Sequence, residues 1–206
     1  MRIINCEQRS DEWYAARLGV PSASSFGKIV DGSGNASKQQ TDYLYKLAAQ
    51  RLTGTREDTY MSAAMAEGIE REETSRWVYA MESGVVVEEV GFCLSDCGRF
   101  GASPDGLVGS EGLVELKNPI GGTAVAYLLN GALPSTYFQQ VQGQLLVTGR
   151  DWCDFVSYYP NLPLLVIRCY REEEFLSKLE EELNQFCDKL DDICSDLGEK
   201  AALTNG

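Results

Sequence analysis

The fold of this chain is decided by Gly112–Lys117, which has the sequence GLVELK, and by Ser103–Leu107, which has the sequence SPDGL. In GLVELK apolar and charged residues alternate, which predicts a β-strand that sends Glu115 and Lys117 to the same face. In SPDGL, Asp105 lies between a proline and a glycine, a pattern typical of a turn or of the edge of a strand. A hairpin between the two stretches would therefore bring two carboxylates and an ammonium group together.

This trio of charged groups suits metal-dependent chemistry on phosphates. Carboxylate oxygens are good ligands for a hard cation such as Mg²⁺, which keeps several waters and can also hold a phosphate oxygen. A water on such a cation becomes a nucleophile, and Lys117 would orient that water or offset charge on the phosphate. The simpler alternative, which each half taken singly favours, is a solvated hairpin without a catalytic role.

Longer stretches of the chain resemble one family. Asp105, Glu115 and Lys117 match the Pro-Asp and Glu-x-Lys motif of the PD-(D/E)xK nucleases. With the trailing Pro119, the run from Ser103 resembles the SPDGL and ELK-x-P pair of the lambda exonuclease and YqaJ-type viral recombinase family. Three further blocks resemble the EW, RLG and SAS signature, the G-x-x-x-E helix and the Q-V-Q helix of that family: Glu12–Ser24, Gly68–Glu72 and Gln140–Gln142. The four blocks together are far more specific than any one motif.

The resemblance implies a fold and a set of catalytic residues. The fold would be α/β, a restriction-endonuclease-like core with a mixed central sheet flanked by helices, in a single domain over residues 1–206. The implied metal ligands are Asp105, Glu115, the Leu116 carbonyl and, for a second metal, Glu72. Lys117 would position or activate the water, and Gln140 would support the site. Only the resemblance selects Glu72, because its helix is crowded with acids, and a glutamine such as Gln140 is often a satisfied core amide.

A second expected site involves the block Glu12–Ser24, hereafter the N-terminal block. Ser10 and Ser22 can each cap a helix, so two helix N-termini would flank Gly19-Val20-Pro21 and offer backbone amides near Ser24. With Arg17 and serine hydroxyls nearby, such amides would bind an anion, which the resemblance implies is the 5'-phosphate of a DNA end. Without the resemblance, a routine helix cap and a solvated arginine are the favoured interpretation. The residues assigned to this site are Trp13, Arg17, Ser24 and Ser103.

Composition excludes several other classes of protein. The chain has no histidine, which excludes histidine-containing catalytic triads and zinc sites built on imidazole, and it has no Walker-type loop of an ATP-driven motor. Its seven cysteines lack C-x-x-C spacing, so free thiols and a cytoplasmic location are expected. No segment approaches about 18 uninterrupted apolar residues, so neither a membrane span nor a signal peptide is expected.

The charge of the chain is unevenly distributed. The net charge of −13 argues against nonspecific adhesion to nucleic acid. However, residues 1–56 hold eight Lys or Arg against five acids, whereas the rest of the chain holds ten against twenty-six. An acidic exterior with a locally basic groove beside a metal ion is compatible with DNA binding.

Periodicity predicts the remaining elements. Helices are expected over 10–18, 22–30, 39–52, 61–82, 137–147 and 171–197, and strands over 85–94, 100–102, 112–117, 153–159 and 164–170. Gln140 and Gln144 lie one helical turn apart, while Gln142 points elsewhere. Trp77 is expected to anchor the 61–82 helix. The last helix carries a heptad seam from Leu176 to Leu197, which would pack on the sheet of its own domain or form a coiled coil with another subunit.

The expected activity is Mg²⁺-dependent hydrolysis of the 5' strand of duplex DNA, which leaves a 3' overhang, with Mn²⁺ as a substitute metal. The resemblance further implies a homotrimer that encircles double-stranded DNA and a single-strand annealing recombinase as its partner. Two alternatives stay open. One is an endonuclease or a structure-specific nickase with the same metal core. The other is a noncatalytic acidic protein-binding module whose carboxylates form a solvated or calcium-binding face.

Overall fold

The computed structural model describes residues 1–56 and 62–204 of the chain. Two sheets in these residues are flanked by helices. The strands are β1 (Arg2–Ile4), β2 (Val87–Glu88), β3 (Phe92–Leu94), β4 (Gly101–Ala102), β5 (Gly106–Val108), β6 (Gly112–Lys117), β7 (Trp152–Ser157) and β8 (Leu165–Tyr170). The helices are α1 (Asp11–Arg17), α2 (Gln40–Thr53), α3 (Ala63–Glu70), α4 (Glu72–Ser83), α5 (Gly121–Asn130), α6 (Phe138–Thr148) and α7 (Glu173–Thr204), with 3₁₀ helices at Ala23–Lys28 and Ser135–Tyr137. Among the described residues, no helix is both long and apolar enough to cross a bilayer.

The larger sheet has the order β2-β5-β6-β7-β8 and is mixed, which confirms the predicted α/β core. β6 and β7 are parallel, whereas the other neighbouring pairs are antiparallel. Parallel neighbours need a long crossover, and α5 and α6 lie in the connection between these two strands. β6 is therefore a central strand, buried over residues 112–116, and it places Glu115 inside the protein. The smaller sheet has the order β1-β3-β4.

The hairpin predicted from the sequence is present. Asp105 directly precedes β5, whose Gly106 pairs with Val114 of β6, and the Asp105 N–H donates to the Val114 carbonyl at 3.1 Å. Gly109 turns the chain with a φ of +55°, a conformation that costs glycine little. Asp105 is therefore held beside the strand that carries Glu115.

Helix α6 joins the sheet to the N-terminal block. It packs against the 3₁₀ helix Ala23–Lys28, where a Cβ atom on Gly143 would lie 2.3 Å from Cδ2 of Phe26. Only a glycine permits this close approach. Because Ser24 lies in the 3₁₀ helix, the contact brings the N-terminal block up to α6, the helix that also carries Gln140.

The C-terminal helix α7 buries most of its heptad seam within the chain. The buried seam residues are Leu176, Leu179, Leu183, Phe186 and Leu190, whereas Leu197 is 45% exposed. The seam packs chiefly on α2 and α6, and Tyr43 of α2 stacks on Phe186 with ring centroids 5.7 Å apart. The prediction that the seam packs on the sheet is therefore wrong, because the seam packs on helices. Its buried part is also unavailable to a second subunit.

Several predicted boundaries are wrong. The expected helix over 61–82 is two helices, α3 and α4, which meet at Arg71, where a ψ of −7° interrupts the α-helical run. The expected start of that helix, at Met61, lies outside the described residues. The expected strand over 85–94 is divided into β2 and β3, which belong to different sheets. Strand β1 and helix α5 were not predicted, because β1 has three residues and α5 begins with two glycines, which are poor helix formers.

Helix α4 is anchored by Tyr79 and not by Trp77. Trp77 is 64% exposed, whereas Tyr79 is fully buried and its hydroxyl donates to Asp154 Oδ2 at 2.7 Å. Asp154 also accepts two hydrogen bonds from Arg168, each at 2.8 Å. This network ties α4, which carries Glu72 in its first turn, to β7 and β8.

Candidate active site

Glu115 is the buried centre of the candidate site, with 2% of its surface exposed. Its Oε1 accepts hydrogen bonds from Lys117 Nζ and Gln140 Nε2, each at 2.5 Å, and its Oε2 accepts one from Gln144 Nε2 at 2.5 Å. A buried carboxylate is costly unless it is paired and hydrogen-bonded, and these donors hold both oxygens in one orientation. Gln144 was not among the predicted site residues, although its one-turn spacing from Gln140 points to it.

Asp105 lies against the same strand. Its Oδ2 accepts the backbone N–H of Leu116 at 2.6 Å. Burial and the nearby charge of Glu115 raise the pKa of Asp105 well above its usual value, and Lys117 offsets part of that effect. One ammonium group therefore faces two carboxylates, which leaves the cluster with an excess of negative charge.

Lys117 remains a cation in this environment. Burial alone would lower the pKa of Lys117, but the charges of Glu115 and Asp105 outweigh burial and raise that pKa above its usual value. Lys117 Nζ also lies 4.9 Å from the centre of the Tyr137 ring, a cation–π contact. The protonated amine suits the positioning of water and the stabilisation of charge, and it does not suit a general base.

Glu72 lines the same cavity as Asp105 and Glu115, but its carboxylate is paired with two arginines. Its Oε2 pairs with Arg9, and its Oε1 accepts from Arg76 at 3.3 Å. In the described residues, no three His, Cys, Asp or Glu side chains lie close enough together to hold a metal ion. The structure thus brings Asp105 and Glu115 together, and Glu72 can join them only if its arginine pairs open. Neither arginine was predicted, because no motif marks them.

The N-terminal residues expected to bind phosphate share one cavity, of about 220 Å³, with Asp105 and Glu115. These residues are Trp13, Arg17, Ser24 and Ser103. Trp13 Nε1 and Arg17 Nη1 both donate to Ser103 Oγ at 2.9 Å. The fold therefore brings together the two groups of residues that the sequence suggested separately.

Arg17 has no carboxylate partner in the part of the chain that the structure describes. Its Nη2 donates to Ser22 Oγ at 3.1 Å, and its guanidinium lies 4.1 Å from the centre of the Trp13 ring. Burial lowers the pKa of Arg17 to about 10, which leaves the group charged at neutral pH. A guanidinium held by hydroxyls and an aromatic ring is available to an anion.

The two expected serine caps have different outcomes. Ser10 Oγ accepts the Trp13 backbone N–H at 3.2 Å, which confirms Ser10 as the cap of α1. The expected Ser22 cap is wrong, because the segment that follows is a six-residue 3₁₀ helix to which Ser22 makes no side-chain capping bond. The Ser22 hydroxyl accepts a hydrogen bond from Arg17 instead.

The donor set of this cavity fits a hard divalent cation. Asp105 and Glu115 supply carboxylate oxygens, and Leu116 lines the cavity between Glu115 and Lys117. Mg²⁺ is commonly held by one or two carboxylates together with water and substrate phosphates, so it does not require a third acidic side chain. The pKa of Asp105 is raised first by burial and then by the nearby charge of Glu115, and a bound cation would offset the second of these causes.

Known proteins resemble this chain in both sequence and fold. Residues 12–151 match the YqaJ-like viral recombinase domain. An alkaline exonuclease, LHK-Exo from Laribacter hongkongensis, is 38% identical and superposes with a TM-score of 0.86 over 95% of this chain and 100% of that chain. LHK-Exo in complex with dAMP matches equally. A phage related exonuclease from Haemophilus somnus 129PT shares the fold at 16% identity, with a TM-score of 0.69 over 86% of this chain and 96% of that chain.

No curated protein matches the chain significantly. The family match nevertheless covers more than half of the chain and includes the hairpin with Asp105, Glu115 and Lys117. The similarity to LHK-Exo extends over nearly the whole length of both proteins. The chain therefore belongs to the YqaJ-like viral recombinase family.

Proposed function

We propose that this chain is a Mg²⁺-dependent exonuclease that hydrolyses double-stranded DNA from a 5'-phosphorylated end and leaves a 3' single-stranded overhang. One observation carries the proposal: the acidic pair of Asp105 and Glu115 shares a single cavity with the unneutralised guanidinium of Arg17. Membership of the YqaJ-like family and the similarity to an alkaline exonuclease support a nuclease role and a DNA substrate.

The residues around the acidic pair have distinct tasks in this proposal. Asp105 and Glu115, with the Leu116 carbonyl, would hold the metal, and Mn²⁺ would substitute for Mg²⁺. When bound, the metal would supply a Lewis acid and a more acidic water. Gln140 and Gln144 keep the Glu115 carboxylate oriented, as second partners of metal ligands commonly do.

Lys117 and Glu72 have the two remaining roles in this proposal. Lys117 would offset the negative charge that develops during hydrolysis, since it remains protonated. Glu72 is the proposed ligand of a second metal. That role requires its release from Arg9 and Arg76.

Arg17 accounts for the proposed preference for a DNA end. A terminal 5'-phosphate is a monoester with about −1.5 to −2 charges at neutral pH, more than the single charge of an internal diester. Arg17 would bind that monoester, with Ser24, an exposed hydroxyl at the same cavity, as an additional donor. Trp13 and Ser103 hold the guanidinium in place. The neighbouring phosphodiester would then lie at the acidic pair.

We also propose a homotrimer around double-stranded DNA ends, a single-strand annealing recombinase as partner, and action in the cytoplasm. The first two rest on the family resemblance. Seven free cysteines support the third, because a reducing compartment keeps thiols unpaired. Light scattering tests the assembly, and a clean monomer at working concentration would count against enclosure of the DNA.

The activity is tested by digesting linear duplexes labelled separately at each 5' and 3' end, with and without a 5'-phosphate, in Mg²⁺ and in EDTA. The expected result is early loss of the 5' label, faster with a 5'-phosphate and blocked by EDTA. A covalently closed circle is the matched control, and its cleavage would indicate an endonuclease with the same core. No cleavage in any metal would favour the noncatalytic alternative.

A further inference from the structure

A second cavity, also of about 220 Å³, adjoins the candidate active site and shares Trp13 and Arg17 with it. Its opposite wall is one face of α2, on which Tyr43, Lys46 and Gln50 follow one another at helical spacing. Gln50 Oε1 accepts the backbone N–H of Gly19 at 3.0 Å, which fixes this wall against the turn after α1. The second cavity therefore lies between the N-terminal block and α2.

This cavity is lined by cations. The four are Arg17, Lys28, Lys46 and Arg56. Among the described residues, no aspartate or glutamate lines the cavity, and no carboxylate forms an ion pair with any of the four. The whole chain has 31 acidic residues against 18 basic ones, so the cluster is not the by-product of a generally basic surface.

Contacts with aromatic rings orient two more of these cations besides Arg17, which lies over Trp13, without neutralising them. The Arg56 guanidinium lies 3.6 Å from the centre of the Tyr14 ring, and Lys28 Nζ lies 5.4 Å from the centre of the Tyr43 ring. Lys46 is only partly exposed, so water screens its charge incompletely. Gathering like charges in this way costs free energy, which a bound anion would offset.

We propose that this second cavity is an anion site that binds a phosphate group next to the 5'-phosphate position. Lysine and arginine both bind phosphate oxygens. The cavity is smaller than the roughly 300–1,000 Å³ of drug-sized ligand sites, which suits a group as small as a phosphate. The phosphate has two sources, the nucleoside monophosphate released by hydrolysis and the backbone of a single DNA strand beside the end. These sources rest on the proposed function, whereas binding itself does not require cleavage.

The test uses Lys46→Gln and Lys28→Gln, neither of which lines the candidate active site. Lys189→Gln is the control, because it removes the same charge from an exposed position on α7 that does not line the cavity. All measurements are made in EDTA, so that no DNA is cut. One arm titrates dAMP calorimetrically. The other follows the anisotropy of a labelled 5'-phosphorylated duplex with a short 3' overhang at several salt concentrations, and thermal melts check that each variant is folded.

If the ligand is the released nucleotide, Lys46→Gln and Lys28→Gln weaken dAMP binding about tenfold, as expected for the loss of a charge-assisted contact. If it is the DNA strand, they weaken duplex binding and reduce the slope of log affinity against log salt by about 0.7–0.9 for each lost contact. Behaviour equal to that of Lys189→Gln in both arms overturns the proposal. If the two lysine variants weaken dAMP binding but the wild type cuts no DNA in Mg²⁺, this anion site is supported and the proposed function is rejected.

Discussion

Two buried carboxylates on neighbouring strands of one sheet, Glu115 on β6 and Asp154 on β7, have contrasting surroundings. Each has 2% of its surface exposed. Asp154 accepts two hydrogen bonds from Arg168 at 2.8 Å and one from the Tyr79 hydroxyl at 2.7 Å, so its charge is matched by one guanidinium. Glu115 accepts two of its three hydrogen bonds from neutral amides, and its one cation, Lys117, is shared with a second carboxylate.

The register of the sheet separates the two environments. Phe155 is the partner of Glu115 on β7, and Asp154 is the partner of Val114, so the two carboxylates point to opposite faces. On one face, a charge-balanced network fastens α4 to the sheet. On the other face, a cluster with more carboxylates than cations opens into a cavity. We therefore propose that the buried carboxylate with a full complement of cationic partners is structural here, whereas the one with too few is available to bind a cation.

The largest expected effect concerns activity. Asp105→Asn should lower the cleavage of linear duplex roughly 10³-fold, because a metal ligand supplies several kcal/mol of transition-state stabilisation. Asp154→Asn makes the same chemical change on the other face and should leave activity per folded molecule within a few-fold of the wild type. Initial rates at saturating Mg²⁺, corrected for the folded fraction, measure both. Equal losses in the two variants would contradict the division between the faces.

A smaller effect is expected from the amides around Glu115. Gln144→Leu leaves Glu115 Oε2 without its donor and should raise the Mg²⁺ concentration needed for half-maximal cleavage about 10- to 100-fold, as for other residues that orient metal ligands. Gln142→Leu is the matched control. Gln142 lies on the same helix but bonds Tyr170 and Glu172, so its loss should lower stability without changing the metal requirement. An unchanged Mg²⁺ requirement in Gln144→Leu would remove this glutamine from the site.

Local patterns were sufficient to predict the hairpin and its three charged residues. Alternation in GLVELK and the Pro-Asp-Gly turn act over a few residues, and the structure realises both. The pairing of Arg9 with Glu72 spans 63 positions in the sequence, and no short-range pattern announces it. For the same reason, the sequence alone did not show that Arg17 lines the cavity of the acidic pair.

Element boundaries failed where tertiary contacts override local preference. The sequence over 85–94 favours one strand, but its two ends pair with different strands, β1 and β4 at one end and β5 at the other. Likewise, the 3-4 spacing on α7 shows that one face is buried but not what covers it, and α2 and α6 supply the cover. Such choices depend on which surfaces meet, and periodicity does not contain that information.

The acidic pair should also make the metal requirement depend on pH. Burial and Glu115 raise the pKa of Asp105 in the metal-free protein, so a proton must leave before Asp105 binds a cation. The Mg²⁺ concentration for half-maximal cleavage should therefore fall as pH rises, by at most about tenfold per pH unit for one proton, and level off above the raised pKa. Lys117 has a raised pKa and should cause no loss at alkaline pH. A requirement that is flat from about pH 4, near the usual pKa of an aspartate, up to pH 9 would contradict the raised pKa of Asp105.

The smallest expected effect, measured as thermal stability in EDTA, has opposite signs on the two faces. A carboxyl group with a raised pKa in the folded state contributes stability that is fully present below its unfolded pKa of about 3.9 and lost as pH rises through the folded pKa. At neutral pH, Asp105→Asn avoids this loss of stability. Its amide oxygen can still accept the Leu116 N–H, so the Tm of the variant should exceed that of the wild type. Each 1 kcal/mol of stability corresponds to about 2–4 °C in Tm at this chain length, and the gain should shrink towards pH 4.

Asp154→Asn should instead lower the Tm, because it weakens the charge-assisted hydrogen bonds from Arg168. Such bonds are worth roughly 1.5–3 kcal/mol each when buried, and less here because Arg168 is partly exposed. A Tm that rises in Asp105→Asn and falls in Asp154→Asn would show that the shortage of cations around Glu115 lowers the stability of the fold.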